Sequence, residues 1–502
     1  FINQLETNPS KESYGDSIDV LGIGGYLDHG RNRLQANVFN IYHNGEHEFS
    51  KRTGSNNPNK SIQQSLLWGT NVEVSQFNDR LSEWKYVDSA GYGLPQSNDH
   101  KIVLSEVIKG QINLVTQRYT GHLQYRTIFS NQKLNHIVTK SYKVKDANKV
   151  KSLVTITDTM RTSTDKWALN LGTRMGYTSV NQEYYVTPRL SVTYFPRTYV
   201  VKDSSIVKRT SSLRFATGMY YQPPMYREMR DYSGKLNTSV LSQKSVHAIL
   251  GYDMFFYMLG RNNPFKLTAE VFYKHLWDVN PYEVVNVRTR YYAENSAVAY
   301  ATGIDLNLNG EFIEGITSFF KIGIMRTMED LKTDSYKEYY NSDGEKIIFG
   351  YTANNLVVDS ATFYPGYIPR PTDQFFNIAM MIQDQMPSFE ALSLHLGLNF
   401  GTGLPYGPPG QDRYRDTLRM RSYFRVDIAT SYDFLYKKRL REKEDFFNNK
   451  IKGAILSFEV YNLLGINNEM SKQWIQDVNG SQHAIPNYLT QRRFNLKLII
   501  RF

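Results

Sequence analysis

Apolar residues recur at every second position over long stretches of this chain. Residues 391–400 read ALSLHLGLNF, and the alternating apolar members are Leu392, Leu394, Leu396, Leu398 and Phe400. A period of two puts alternate side chains on opposite faces of a β-strand. The pattern recurs in roughly 18 to 20 segments, several of about 12 to 16 residues, whereas strands of soluble proteins usually have about 5 or 6. Because a tilted strand needs about 9 to 11 residues to cross a bilayer, the pattern predicts an all-β fold, a transmembrane antiparallel β-barrel.

Two other architectures fit the sequence less well. A series of β-sandwich domains would show the same alternation in any single strand, but its composition would change at a linker about every 100 residues, and no such change occurs. No window approaches the roughly 18 unbroken apolar residues of a membrane-spanning helix. A single barrel domain over residues 1–502 is therefore predicted.

The chain ends on an alternating strand, RRFNLKLIIRF, in which only Ile499 breaks the alternation. The edge strand of a sheet is usually short or irregular. A regular terminal strand therefore indicates that it closes the barrel by pairing with the first strand. A terminal aromatic residue is typical of chains that the outer-membrane machinery inserts, and Phe502 is accordingly predicted to be an insertion signal.

Composition excludes several classes of function. The chain has no cysteine, which removes disulfides, thiolate metal sites and cysteine nucleophiles. The net charge is +11, but basic and acidic residues are interleaved along the sequence, so nucleic-acid binding is not predicted. The histidines are scattered, and there is neither a Gly-x-Ser-x-Gly elbow nor a phosphate loop. We therefore predict no enzyme activity, no metal site and no cofactor.

The predicted connections are of two lengths. Some are tight and polar, such as residues 259–265 and 309–315, whereas residues 331–372 and 404–421 are long and hydrophilic. Outer-membrane barrels have short periplasmic turns and longer extracellular loops. The tyrosine-rich stretch from Tyr336 to Tyr367 could stack on sugar rings or an aromatic ligand, or it could stabilise the rim. Both interpretations stay open.

Polar residues on the faces opposite the apolar stripes are the candidate site residues, because those faces would line the lumen. Arg425 and Asp427 share such a face, and they would form an ion pair between strands or contact a plug or substrate. His395 would be a solvated lumen residue or, alternatively, a metal or haem ligand. The complete set of lumen-facing candidates is Arg425, Asp427, His395, Asn399, Glu459 and Arg493.

Eight stretches resemble the barrel of TonB-dependent receptors, in particular the Bacteroidetes type, whose precursors often begin with a carboxypeptidase-regulatory-like domain. They are WKYVDSAGYGLP, TSSLRFATGMYYQPP, KLTAEVFYKHLWDVNPY, YATGIDLNLNGEF, LNFGTGLPYGPP, SYFRVDIATSYDF, SFEVYNLLGINN and NYLTQRRFNLKLIIRF. The resemblance implies an outer-membrane barrel of about 22 strands that imports a scarce nutrient. It also implies outer-membrane lipids as surroundings and energy from TonB, delivered through a plug inside the barrel.

The sequence departs from this family before Ser17, where no segment could form a plug. We expect the plug and the first strands to be missing from this chain through cleavage, disorder or truncation, with a plugless barrel as the alternative. Two functions therefore remain. The first is a TonB-dependent transporter, with a surface lipoprotein as an additional candidate partner, and the second is a non-transporting barrel subunit of an outer-membrane assembly or secretion complex.

Overall fold

The computed structural model describes residues 4–5, 17–18, 26–54, 57–88, 102–146, 149–196, 199–202, 205–208, 211–261, 263–285, 288–313, 316–347, 352–386, 389–407, 417–436, 453–476 and 482–501. The strands of the first half are β1 Gln4–Leu5, β2 Ser17–Ile18, β3 Tyr26–Gly30, β4 Arg33–Gly54, β5 Asn57–Asp88, β6 Ile102–Asp146, β7 Lys149–Thr178, β8 Glu183–Tyr194, β9 Tyr199–Lys202, β10 Ser205–Lys208, β11 Ser211–Gln222 and β12 Gln243–Phe256. Those of the second half are β13 Phe265–Val279, β14 Tyr282–Val285, β15 Arg288–Tyr291, β16 Ala297–Ile313, β17 Ile316–Leu331, β18 Tyr336–Tyr340, β19 Asp359–Phe363, β20 Ile368–Pro369, β21 Phe376–Met386, β22 Phe389–Gly401, β23 Pro405–Tyr406, β24 Leu418–Arg419, β25 Tyr423–Asp433, β26 Gly453–Tyr461, β27 Glu469–Gln476, β28 Gln482–Tyr488 and β29 Arg493–Arg501.

Seventeen of these strands form one closed antiparallel barrel. The wall follows the chain from β3 and β4 through β8, passes to β11, and continues through β13, β16, β17, β21, β22, β25 and β26 to β29. In the strand order β29 stands next to β3, and its residue-by-residue pairing is with β26. The predicted all-β barrel is confirmed, and the strand count is roughly consistent with the prediction.

The two faces of the wall follow the sequence alternation. In β22 and its neighbours, Leu396 lies opposite Ile382 on one side and Ile428 on the other. Apolar residues on this face are exposed in the isolated chain, as Phe494, Leu496 and Leu498 of β29 show with 68%, 69% and 59% of their surface accessible. Burying so much apolar surface requires an apolar solvent, and hydrocarbon lipid provides it.

The predicted terminal strand is part of the wall. Strand β29 pairs with β26, and the two strands place Leu498 beside Leu456, and Leu496 beside Phe458. The aromatic rings of Phe458 and Phe494 stack with their centroids 6.3 Å apart. Phe502 lies outside the described residues, so its assignment as an insertion signal stays a prediction.

Most of the long connections lie at one end of the barrel, which we call the long-loop rim. They are residues 223–242, 280–296, 332–375, 402–422 and 462–492, together with the four-residue turn 179–182. At the opposite rim, β16 connects to β17 and β21 to β22 through two residues each. No helix among the described residues is long and apolar enough to cross a membrane.

Two clusters of buried apolar residues lie at the long-loop rim. One cluster joins Met229 and Val240 of loop 223–242 to Ala293 of loop 280–296. A second cluster contains Val279, Ala297 and Ala299, where β13 meets β16. Loops 223–242 and 280–296 therefore pack against each other as a small core at the mouth of the barrel.

Candidate functional site

The six predicted lumen residues lie on one face of four adjacent strands. Asn399 of β22 pairs with Arg425 of β25. Ala429 of β25 pairs with both His395 and Glu459, which aligns those two side chains across three strands. Arg493 of β29 pairs with Tyr461, on the same face as Glu459. The structure thus brings all six predicted residues to the polar face of the wall.

The contact of Arg425 with Asp427 is made within one strand, and the prediction of an ion pair between strands is wrong. Nε of Arg425 donates to Oδ1 of Asp427 at 2.7 Å. Residues i and i+2 of a strand share a face, so these two side chains meet along β25. The same carboxylate oxygen accepts the backbone N–H of Asn462 at 2.8 Å. Asp427 therefore fixes the point where β26 ends and the loop after it begins.

The other wall candidates have simpler surroundings. The carboxylate of Glu459 accepts hydrogen bonds from the Tyr461 hydroxyl at 2.5 Å and from Nδ2 of Asn495 at 2.8 Å. No group of three or more potential metal ligands occurs among the described residues. His395 consequently has no ligand set around it in the described part of the chain, and a metal or haem role gains no support.

Removing the Asp427 carboxylate is expected to loosen the start of the loop after β26. Asp427→Ala leaves the Asn462 N–H and the Arg425 guanidinium without their acceptor, at a cost of about 1 to 3 kcal/mol. The rate of proteolytic cleavage after residue 461, measured on the folded protein, should rise. Asn399→Ala is the matched control, because Asn399 is exposed on the same face. Equal cleavage of the two variants would contradict the assigned role of Asp427.

A second site, which the sequence did not predict, lies where loop 223–242 reaches back along the rim to strand β5. Tyr226 and Arg230 of this loop both donate to Oδ2 of Asp79 on β5, at 2.9 Å each. The Tyr226 ring stacks on Phe77 with centroids 5.0 Å apart. Three strands, β6 to β8, separate β5 from β11 in the wall. The loop therefore folds inward over the lumen.

Asparagine side chains hold this loop to its neighbour. Nδ2 of Asn280 donates to the carbonyl oxygen of Glu228 at 2.7 Å, and Nδ2 of Asn237 donates to that of Ala293 at 2.9 Å. Asn295 accepts the N–H of Leu241 at 2.7 Å. Each bond satisfies a backbone group of the facing loop. The two loops consequently form one fixed unit.

This unit and the wall enclose a cavity of about 510 Å³, which we call the rim cavity. Its lining comes from the loop 223–242, the hairpin β14–β15 and strands β4 and β5. The lining residues are Asn32, Leu34, Asp79, Leu81, Tyr226, Arg227, Arg230, Asp231, Tyr232, Gly234, Arg288, Thr289, Arg290 and Tyr291. Four of these residues are arginines and two are aspartates, so the lining is basic.

The two aspartates are already engaged. Asp79 accepts Tyr226 and Arg230, and it is almost fully buried. Asp231 accepts the Ser233 hydroxyl at 2.7 Å and the N–H of Lys235 at 2.8 Å, within its own turn. Both carboxylates are therefore already occupied by hydrogen bonds from the protein itself.

The tyrosines of the lining add no negative charge to the cavity at neutral pH. Burial raises the pKa of Tyr226 and of Tyr232, and the carboxylates of Asp79 and Glu283, respectively, raise them further. Burial also raises the pKa of Tyr291, to which the Glu228 charge contributes in the same direction and Arg227 in the opposite one. Burial raises the pKa of Glu228 itself. The phenols therefore stay protonated.

Buried ion pairs hold the longest loop at the same rim. Asp373, which is fully buried, accepts the N–H of Thr327 at 2.8 Å and contacts Arg326 at 3.3 Å, and Arg419 also donates to it. Nε of Arg370 lies 2.9 Å from Oε2 of the fully buried Glu329. These contacts bind residues 368–375 and β24 to the end of β17.

The family of the chain follows from a direct comparison. The family described as TonB dependent receptor-like, beta-barrel matches residues 3–463. This chain belongs to that family. The receptor barrel therefore lies in the outer membrane, and its apolar face contacts lipid. Since outer-membrane barrels have their longer loops outside the cell, the long-loop rim and its cavity are on the extracellular side.

Several solved structures match this chain. They include a mutant of the ferric enterobactin receptor of Pseudomonas aeruginosa, with 11% identity over 92% of this chain and 69% of that one and a TM-score of 0.42. The outer membrane transporter YddB of Escherichia coli has 11% identity over 94% and 67%, with a TM-score of 0.44. The RagAB peptide transporter has 10% identity over 91% and 54%, with a TM-score of 0.46. The receptor barrel thus spans 54% to 69% of the length of these three structures. No curated protein sequence matches it.

The sequence contains only a weak signal for the rim cavity. Two arginines three positions apart stand in YREMRDYSG, and two more alternate in VRTRYY. Either pair alone is ordinary for a solvated loop.

The tyrosine-rich loop was the more conspicuous candidate, but Tyr336 stacks on Phe363 at 5.7 Å and the Tyr340 hydroxyl donates to Glu338 at 3.1 Å. These contacts stabilise the hairpin β18–β19.

Proposed function

We propose that the receptor barrel is the translocation domain of a TonB-dependent transporter that imports a scarce nutrient across the outer membrane. Membership in the family carries this proposal, because energised import is the activity that the resemblance implies. The geometry of the rim supports it. Loops that fold inward and surround a cavity of about 510 Å³ are suited to hold a solute before it enters the barrel.

The proposal includes a plug domain that precedes this chain and occupies the lumen. A barrel of about 22 strands is too wide for its own side chains to fill. The polar face that carries Arg425, Asn399 and Glu459 provides charged and amide groups for contacts with such a domain. TonB would act on the plug from the periplasmic side.

We further propose that the full protein is of the Bacteroidetes type and acts with a surface lipoprotein, on the strength of the eight sequence stretches quoted above.

Uptake measurements test the transport function. Cells that carry the full-length gene, cells with the gene deleted and cells treated with a protonophore are given a panel of radiolabelled peptides, oligosaccharides and iron chelates. We expect at least one compound to accumulate only when both the gene and the proton-motive force are present, because TonB draws on that force. A deletion strain that accumulates the whole panel normally, together with stoichiometric co-purification of the barrel with an assembly complex, would refute import and favour the subunit function.

A further inference from the structure

We propose that the rim cavity binds a small solute that carries two or more carboxylate or phosphate groups. This inference rests on the proposed transport function, because it specifies the chemical class of the imported compound. It comes from the charges of the cavity lining, from the positions of its arginines on two separate loops and from its size.

The charge of the lining is the first argument. Four arginines and two aspartates give the cavity a net formal charge of +2. Asp79 neutralises Arg230 directly. Arg227 and Arg288 are exposed, and within the described residues neither has a carboxylate at ion-pair distance. An enclosed site with uncompensated cations attracts anions, since the surrounding protein screens charge less than water does.

The positions of the arginines are the second argument. Arg227 and Arg230 lie on the loop 223–242, whereas Arg288 and Arg290 lie on strand β15 of the hairpin that faces it. A guanidinium group donates two parallel hydrogen bonds that match the geometry of one carboxylate or phosphate. Cations on two facing walls therefore suit a solute with anionic groups at both ends.

The loops that carry these arginines are held in place without a ligand. Asn280, Asn237 and Asn295 fix the two loops to each other, and Asp79 fixes the first loop to the wall. Little ordering is then needed when a solute binds, which favours affinity. The volume of about 510 Å³ falls within the range of small-molecule sites, roughly 300 to 1,000 Å³.

Binding to the purified full-length protein in detergent micelles tests the inference. Isothermal titration at low ionic strength would use citrate as the carboxylate probe, pyrophosphate as the phosphate probe and maltotriose as an uncharged probe. The double variant Arg227→Gln/Arg288→Gln removes the two uncompensated cations. Lys235→Gln is the matched control, because Lys235 is an exposed cation of the same loop that does not line the cavity. Resistance of the folded barrel to unfolding in cold SDS verifies that each variant is folded.

We expect citrate, pyrophosphate or both to bind, and their affinity should fall as salt is added. The uncharged maltotriose should not bind. The double variant should bind at least about tenfold more weakly, the loss expected for charged hydrogen bonds, and Lys235→Gln should bind as the wild type does. Binding of citrate alone identifies a carboxylate solute, and binding of pyrophosphate alone a phosphate solute. Absence of anion binding, or an equal effect of Lys235→Gln and the double variant, overturns the inference. Because titration needs neither TonB nor a membrane potential, that result leaves the uptake test of the transport function unaffected.

Discussion

Leu396→Arg is expected to reduce the free energy of unfolding of the receptor barrel by about 2 to 4 kcal/mol, whereas His395→Arg is expected to change it little. The two residues are neighbours in the middle of β22 but belong to opposite faces. Leu396 lies between Ile382 and Ile428 on the apolar face, so an arginine there would enter hydrocarbon. His395 lies on the polar face, where an arginine stays hydrated. Urea titration of the protein folded into lipid vesicles measures both values.

This pair of variants is its own control, because strand, depth and introduced residue are the same. A pair on the neighbouring strand extends it, with Ile428→Arg expected to behave as Leu396→Arg does, and Ala429→Arg as His395→Arg does. Equal losses on the two faces would contradict the assignment of the apolar face to lipid. Equal tolerance would contradict insertion in a bilayer altogether.

The wall of the barrel was predictable because its signal is local. Whether Leu396 faces lipid and His395 does not depends only on the period of two, which a few neighbouring residues establish. The same holds for β29, whose alternation predicts its place in the wall. The error over Arg425 and Asp427 has a local origin as well. Two residues of one face were assigned to a contact between strands, although the spacing i, i+2 already allowed the contact within one strand.

The rim cavity was not predictable, since its contacts join distant parts of the chain. The bond from Tyr226 to Asp79 spans 147 positions, and that from Arg230 to Asp79 spans 151. Neither loop 223–242 nor hairpin β14–β15 has a periodic pattern that would show which way it folds. Only the order of the strands in the barrel shows that three strands separate β5 from β11. A cluster of arginines on loops is evident in the sequence, but the cavity that gathers them is a property of the fold.

Buried ion pairs at the long-loop rim give the second large expected effect. Arg370→Met removes the guanidinium that lies 2.9 Å from Glu329, a residue with no exposed surface. Loss of one partner leaves a buried carboxylate with fewer donors, and we expect a destabilisation of about 3 kcal/mol. Urea unfolding in lipid vesicles measures the loss, and the rate of proteolysis within residues 332–375 shows whether it is confined to that loop. Lys332→Met is the control, because Lys332 is an exposed cation at the end of the same strand.

The double variant Glu329→Gln/Arg370→Met separates the cost of the orphaned charge from that of lost packing. An amide at position 329 needs no cation, so the double variant should recover a large part of the stability that Arg370→Met loses. Recovery would mean that the ion pair serves chiefly to allow a carboxylate in a dry position and to fix residues 368–375 against β17. If the double variant is as unstable as Arg370→Met alone, then the methylene stem of Arg370, not its charge, holds the loop at the rim. In that case the longest extracellular loop is anchored by packing, and its position should be insensitive to added salt.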